Sequence, residues 1–270
     1  MSETQSTPVG TDRLKRVGTG RLIEELIAAA IFLTRLPIRF DGDMPADLHG
    51  RALGWYPAIG ALIGLGGALV YAAGTTAGLT SMMAALLTLG VQIVVTGALH
   101  EDGLADVADG FGGGRDKMAK LAIMRDSRLG SYGVLALIFS VGLRWSALVA
   151  LADPLAVALA LISAGALSRA VVPAVYGWLD PARTDGLAAG LGGPPGLRVV
   201  MAAVLGACIA GLVLSATALP VLAVAILAAL AVGGLALRQI GGHTGDVLGA
   251  CQQVVEIAVL LTLVMLPWVP

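Results

Sequence analysis

The sequence predicts an all-α integral membrane protein of about seven transmembrane helices, preceded by one N-terminal interfacial or partly inserted helix. Two observations carry that class. Of the 270 residues, 57% are hydrophobic and only 13% charged, and the mean hydropathy of +0.87 lies outside the range of a soluble globular domain. Apolar runs of about 20 residues, the length that crosses a bilayer core, recur along the chain between loops that alternate long and charged with short and nearly uncharged. The 37 glycines suit close helix packing in lipid, where small residues let backbones approach. The net charge of -1 says little about partners, since in a membrane protein what matters is which loops carry the charge, and nucleic acid binding has no support. Cys208 and Cys251 sit in or beside apolar runs and read as packing residues.

Residues 1–20 are polar, lack the apolar core and cleavage site of a secretory signal, and read as a flexible cytoplasmic tail before one polytopic domain, 21–270. Residues 22–38 are apolar but interrupted by Glu24, Glu25 and Arg35 and closed by Pro37, which suits an interfacial helix. Spans are expected at 53–77 and 81–99, at 132–151 and 155–176 around the Asp153-Pro154 turn, at 199–218 and 221–237 around Pro220, and at 250–268. The long loops between them carry nearly all the arginines and lysines on one side. By the positive-inside rule that side is the cytoplasm, which makes the chain a multi-pass protein of the inner membrane with its C-terminus outside. No internal repeat of the kind that builds many transporters is evident.

The chemistry is concentrated in residues 100–133, HEDGLADVADGFGGGRDKMAKLAIMRDSRLGSYG. Asp102, Asp106 and Asp109 are spaced four and then three apart, so on a helix they share one face and repel one another. A bound cation relieves that repulsion. Gly112, Gly113 and Gly114 follow, then Arg115, Lys117, Lys120, Arg125 and Arg128. Carboxylate oxygens suit a hard ion such as Mg2+ and the guanidinium groups suit phosphate oxygens, so the stretch points to phosphoryl-group transfer.

A second glycine-rich stretch, IGGHTGDVLGA at 240–250, opens the last span on the same side. Its backbone N–H groups at Gly245 form an anion site, and Asp246 either completes a metal shell or orients a sugar. His100 and His243 each read as a general base or as a hydrogen-bond donor to phosphate. Inside the apolar runs, Glu256 needs a partner, and Arg144 and Arg169 are candidates for it or for phosphate. Arg169, beside Ser168, is the more attractive as a functional group.

The chain resembles the cobalamin 5'-phosphate synthase family, the adenosylcobinamide-GDP ribazoletransferases, nearly end to end. The resemblance rests on FLTRLP at 32–37, HEDGLADVADG at 100–110, MRDSRLGSYG at 124–133, LSR at 167–169 and GGHTGDVLGA at 241–250. It implies the last assembly step of the B12 coenzyme at the cytoplasmic membrane. Adenosylcobinamide-GDP is joined to alpha-ribazole or its 5'-phosphate with magnesium, and GMP leaves. On this reading Asp102, Asp106 and Asp109, with Asp246, hold Mg2+ on the diphosphate. Arg125 and Arg128 neutralise the departing GMP, and Asp126 or His100 takes the proton of the incoming hydroxyl. Arg35, Arg115, Arg169, His243 and Gly245 complete the substrate contacts, while Glu101 stays outside the metal set. The lipid bilayer surrounds the chain, with room for a homo-oligomer or for association with other cobalamin-assembly enzymes.

Two other classes compete. A CDP-alcohol phosphotransferase would use the same electrostatics, but its later G-x3-D-x3-D is missing here. A cation or proton-coupled transporter would string its acids through the helices rather than cluster them in one stretch.

Overall fold

The computed structural model describes residues 19–40, 44–183 and 194–266, and every regular element among them is a helix. The expected tail therefore lies almost entirely outside the described residues. In chain order the helices are α1 (Thr19–Leu33), α2 (Leu48–Ala52), α3 (Tyr56–Thr76), α4 (Ser81–Thr96), α5 (Leu99–Gly113) and α6 (Lys117–Ile123). They continue as α7 (Ser131–Leu151), α8 (Pro154–Trp178), α9 (Gly196–Leu214), α10 (Ala218–Ile240) and α11 (Gly245–Met265). Their starts are set locally. The Thr80 hydroxyl accepts from the Met83 amide at 3.4 Å, Asp153 from Ala156 at 2.8 Å with Pro154 in the first position, and Thr244 from Val247 at 3.3 Å. Each side chain satisfies an amide that the helix itself leaves unpaired.

Among the described residues, five stretches are long and apolar enough to cross a membrane: Leu48–Thr76, Ser131–Leu151, Pro154–Trp178, Gly196–Ile240 and Gly245–Met265. A bent pair, α4 with α5, makes a sixth if it counts as one span. Leu62, Leu65 and Leu69 on α3, Ile138 and Phe139 on α7, and Leu212 on α9 are exposed, as side chains that face lipid would be. Gly196–Ile240 has 45 residues, about twice what a bilayer core holds. It folds back at Ser215, whose φ is 52°. As a result Val199 of α9 and Gly233 of α10 both lie at the end of α8, beside Gly177 and Trp178.

Helix α8 is the most enclosed of these stretches and organises the bundle. A Cβ on Gly60 would come within 2.0 Å of the Gly165 carbonyl oxygen, and one on Gly64 within 2.2 Å of that of Leu161. Backbone therefore meets backbone between α3 and α8, the contact that small residues permit in lipid. At one end of the bundle the Tyr71 hydroxyl donates to Ala152 O at 3.0 Å and Trp145 Nε1 to Met82 O at 2.9 Å, which ties the short turns together. The long charged loops gather at the other end.

Two expectations change. The span expected at 81–99 stops at Thr96: Gly97 (φ 65°) and Ala98 (φ 56°) turn the chain, and α5 leaves α4 at 90°. The interruption in α1 also has a protein partner rather than a lipid one. Glu25 is fully buried and accepts from Arg198 at 2.7 Å and Trp55 Nε1 at 3.1 Å, with Arg51 Nε at 3.3 Å. With 15 residues, α1 is too short to span and is clasped against α2, the turn Leu53–Trp55 and the start of α9.

Candidate active site

Helix α5 carries the acids on one side. At about 100° per residue, Asp102, Asp106 and Asp109 fall within an arc of about 60°, and His100 lies about 150° from its centre. Asp102 is exposed, Asp106 half-buried and Asp109 buried. The first turn of α11 reaches this face because Gly103 has no side chain: a Cβ there would sit 2.8 Å from the Asp246 carbonyl oxygen and 3.0 Å from its Cα. Gly249, one turn later, passes 3.4 Å from the backbone of His100 in the same sense. Asp106 consequently has Asp102, Asp109 and Asp246 as its negative neighbours and Arg183 as its positive one. Asp246 accepts a hydrogen bond from the Thr244 hydroxyl at 3.1 Å and stands 3.7 Å from Arg183.

Arg183, from the loop after α8, belongs to this group and was not among the residues singled out from the sequence. Its Nη1 is buried without a hydrogen-bond partner among the described residues. The signal available was its place in a basic loop that a single bridge, Pro181 with His243, brings to the mouth of α11.

Asp109 has another task. Its two oxygens accept from the amides of Gly130 at 2.7 Å and Gly133 at 2.9 Å, the N-cap and third residue of α7. A carboxylate from α5 thus caps a neighbouring helix, where the unpaired amides and the helix dipole both favour negative charge. Both glycines are needed, since a Cβ on either would lie 2.3 Å from an Asp109 oxygen. Asp109, expected as a metal ligand, thus also anchors the loop that carries Arg125, Asp126 and Arg128.

In that loop Arg128 Nη2 meets Asp126 Oδ2 at 2.5 Å, and Nε reaches both carboxylate oxygens at 3.1 and 3.0 Å. The hydrogen bonds from Arg128 hold the Asp126 carboxyl down to about 2. In this arrangement Asp126 is a poor proton acceptor, and the pair stays ionised until pH falls through about 2. Arg115 and Arg125 are exposed on the same segment, and Lys120 of α6 bonds Gln239 at the end of α10.

His243 is buried, edge-on to the Tyr176 ring with centroids 4.9 Å apart. Its carbonyl accepts from Ala182 at 2.8 Å and its amide donates to Asp180 at 2.9 Å, so it clasps two loops. Burial pushes its imidazole below the usual histidine range, with Asp180 opposing more weakly. Gly245, exposed at the first position of α11, leaves the helix start open beside Asp246.

Other expected contacts are elsewhere. His100 and Arg169 are buried away from the aspartate face, Arg169 in a separate hydrogen-bonded network. There Glu256 accepts from Arg169 at 3.0 Å, Gln252 at 2.5 Å and Arg144 at 3.3 Å, and Arg144 also donates to Glu101 at 3.1 Å. Arg169 is 3% exposed and His100 5%, so neither presents itself to the site as it stands. Arg35 lies at the α4–α5 corner, packed over Gly97.

Comparison with known proteins adds the family. A profile described as Cobalamin-5-phosphate synthase matches residues 25–264. A Bradyrhizobium diazoefficiens protein named adenosylcobinamide-GDP ribazoletransferase is 49% identical over 253 residues, covering 93% of this chain and 95% of its own. Proteins of the same name from Mesorhizobium japonicum and Azorhizobium caulinodans are 45% and 42% identical, each covering 89% of this chain and 93% and 95% of their own. No solved structure shows significant similarity. With a family profile spanning most of its length and relatives of this identity, the chain belongs to the cobalamin-5-phosphate synthase family of transferases.

Proposed function

We propose that this chain joins adenosylcobinamide-GDP to alpha-ribazole or its 5'-phosphate in cobalamin synthesis, with magnesium, on the cytoplasmic side of the inner membrane. The observation that carries the reading is the meeting of Asp102 and Asp106 with Asp246 and Arg183, made by the close approach of Gly103 to α11. Among the described residues no three metal-binding side chains form a ready-made shell. The donor set still fits magnesium, which takes one or two carboxylates together with waters and substrate phosphates. The candidates are Asp102, Asp106 and Asp246, and the bound ion would neutralise charge on the diphosphate.

The chain's own groups do the rest. Arg183 and the exposed Arg115, Arg125 and Arg128 neutralise the nucleotide end, and the open start of α11 at Gly245 offers amides to phosphate oxygens. A ribose ring hydroxyl of the acceptor, free in both alpha-ribazole and its 5'-phosphate, bonds through its oxygen to the phosphorus attached to the corrinoid side as the bond from that phosphorus to GMP breaks. The hydroxyl proton passes to a carboxylate of the cluster. The turn at Gly97 and Ala98 sets the direction of α5 and so of Asp102 and Asp106, and alignment is most of what phosphoryl transfer requires.

The test is GMP release by detergent-purified protein from adenosylcobinamide-GDP. Release should need both the acceptor and magnesium and stop when the metal is chelated; release indifferent to both would overturn the reading. Two variants probe its parts. Arg128→Ala should raise KM for the nucleotide donor about ten- to a hundredfold through loss of a charge-assisted contact, with the acceptor KM little changed. Gly103→Val should push α5 off α11, cost about 1 to 3 kcal/mol in thermal unfolding, and lower turnover about tenfold or more. Full turnover by a destabilised Gly103→Val protein would show that the approach of the two helices serves packing alone.

A further inference from the structure

At the corner where α4 turns into α5, a cavity of about 250 Å³ opens against α1, apart from the aspartate cluster. Ile31, Phe32, Met44 and Leu99 make its walls apolar, and Arg35 and His49 are its charged or titratable side chains. Phe32 is stacked on Tyr56 with centroids 5.8 Å apart and planes at 17°, so it offers a fixed aromatic face. Arg35 is held over Gly97, where a Cβ would meet its Cγ and Nε at 2.5 Å. The hydroxyls of Thr34 and Thr96, also at the wall, donate to carbonyls of their own helices. His49 makes no hydrogen bond or ion pair with another described residue. An apolar chamber with a few placed polar groups is the composition of a small-molecule site, and its volume lies just under the about 300 Å³ at the lower end for drug-sized ligands.

Leu99 connects this chamber to the acids. Leu99, Asp102 and Asp106 follow at i, i+3 and i+7, so the cavity wall and the two carboxylates form one stripe on α5, with Asp102 about 4.5 Å and Asp106 about 10.5 Å further along the axis. A nucleoside whose base sat in the chamber would send its ribose along that stripe.

We propose that this cavity binds the benzimidazole base of the ribazole acceptor, its ribose directed toward Asp102 and Asp106; this rests on the function proposed above. Chemistry selects this occupant from the other groups of the reaction. A corrinoid is far too large. Guanine has donors and acceptors on several edges, which a wall with only two uncommitted polar side chains would leave unpaired at a cost. A dimethylbenzimidazole is flat and apolar, and needs one partner for its free ring nitrogen, which Arg35 or His49 can supply.

The experiment is steady-state kinetics of purified Ile31→Trp and Ile31→Ala proteins, with alpha-ribazole and with the riboside of unsubstituted benzimidazole as acceptors. Ile31→Trp should raise KM for alpha-ribazole about tenfold, raise it less for the smaller acceptor, and leave KM for adenosylcobinamide-GDP within about twofold. Ile31→Ala, which enlarges the chamber and keeps the selectivity test open if the tryptophan does not fold, should shift preference toward the bulkier base. Acceptor KM values that do not move, or that move equally for both acceptors, overturn the proposal. So does an unchanged KM accompanied by less co-purifying lipid in Ile31→Trp, since an acyl chain is then the occupant. Failure of the wild-type protein to release GMP would instead strike the proposed function itself.

Discussion

Replacing Asp106 with alanine is expected to lower turnover by about three orders of magnitude or more while leaving a folded, membrane-inserted protein. The position explains the size of the effect. Asp106 is the half-buried acid that faces Asp102, Asp109 and Asp246 together, so it is central to any cation or proton the cluster holds. Removing one of several repelling carboxylates also relieves the resting protein, so its unfolding temperature should stay level or rise. Loss of activity with unchanged or greater stability is the signature of a functional acid rather than a structural one. Asp106→Asn should behave the same way, because shape without charge binds no magnesium. Asp153→Ala makes the control: that carboxylate caps α8 at the opposite end of the bundle, and its loss should cost about 1 kcal/mol of stability with turnover within a few-fold. Magnesium-dependent GMP release by Asp106→Ala at more than a tenth of the wild-type rate would remove Asp106 from the site.

The order of helices and the two candidate stretches were legible in the sequence because they are written locally. Apolar length marks the spans, Thr80, Asp153 and Thr244 mark helix starts, and spacings of three and four put the acids of α5 on one face. The same helical arithmetic places His100 on the far side of α5. What the sequence hid is nonlocal. Asp109 has the spacing of a partner to Asp102 and Asp106, but amides 21 and 24 residues later take both its oxygens. Glu25 looks like a blemish in an interfacial helix until Arg198, from the start of α9, arrives 173 residues later to meet it. Gly103 sits among 37 glycines, and only the course of α11 reveals that its missing side chain brings Asp246 to the aspartates. The break after Thr96 was obscured for a different reason: the residues around Gly97 and Ala98 remain apolar enough to read as a continuing span.

Glu256 was legible for what it costs. A lone carboxylate inside a lipid-embedded bundle demands a partner, and the structure provides two, Arg144 and Arg169, with Glu101 also paired to Arg144. The network has two acids and two bases, so each substitution changes its charge balance. Glu256→Gln is expected to destabilise the protein by about 3 to 5 kcal/mol, because it leaves an excess buried cation whose burial energy is no longer offset. The decisive measurement is the double variant. Adding Arg169→Gln to Glu256→Gln removes the excess charge and should recover a good part of the lost stability, giving a coupling of about 0.5 to 3 kcal/mol in thermal unfolding in detergent. Strict additivity of the two losses would mean that the side chains act by shape and not by charge. The network also ties α5, α7, α8 and α11 through Glu101, Arg144, Arg169 and Glu256, and α5 and α11 are the helices that bring Asp102, Asp106 and Asp246 together. Recovery of stability in the double variant should therefore bring back some turnover as well, whereas no restoration of charge balance here can rescue Asp106→Ala.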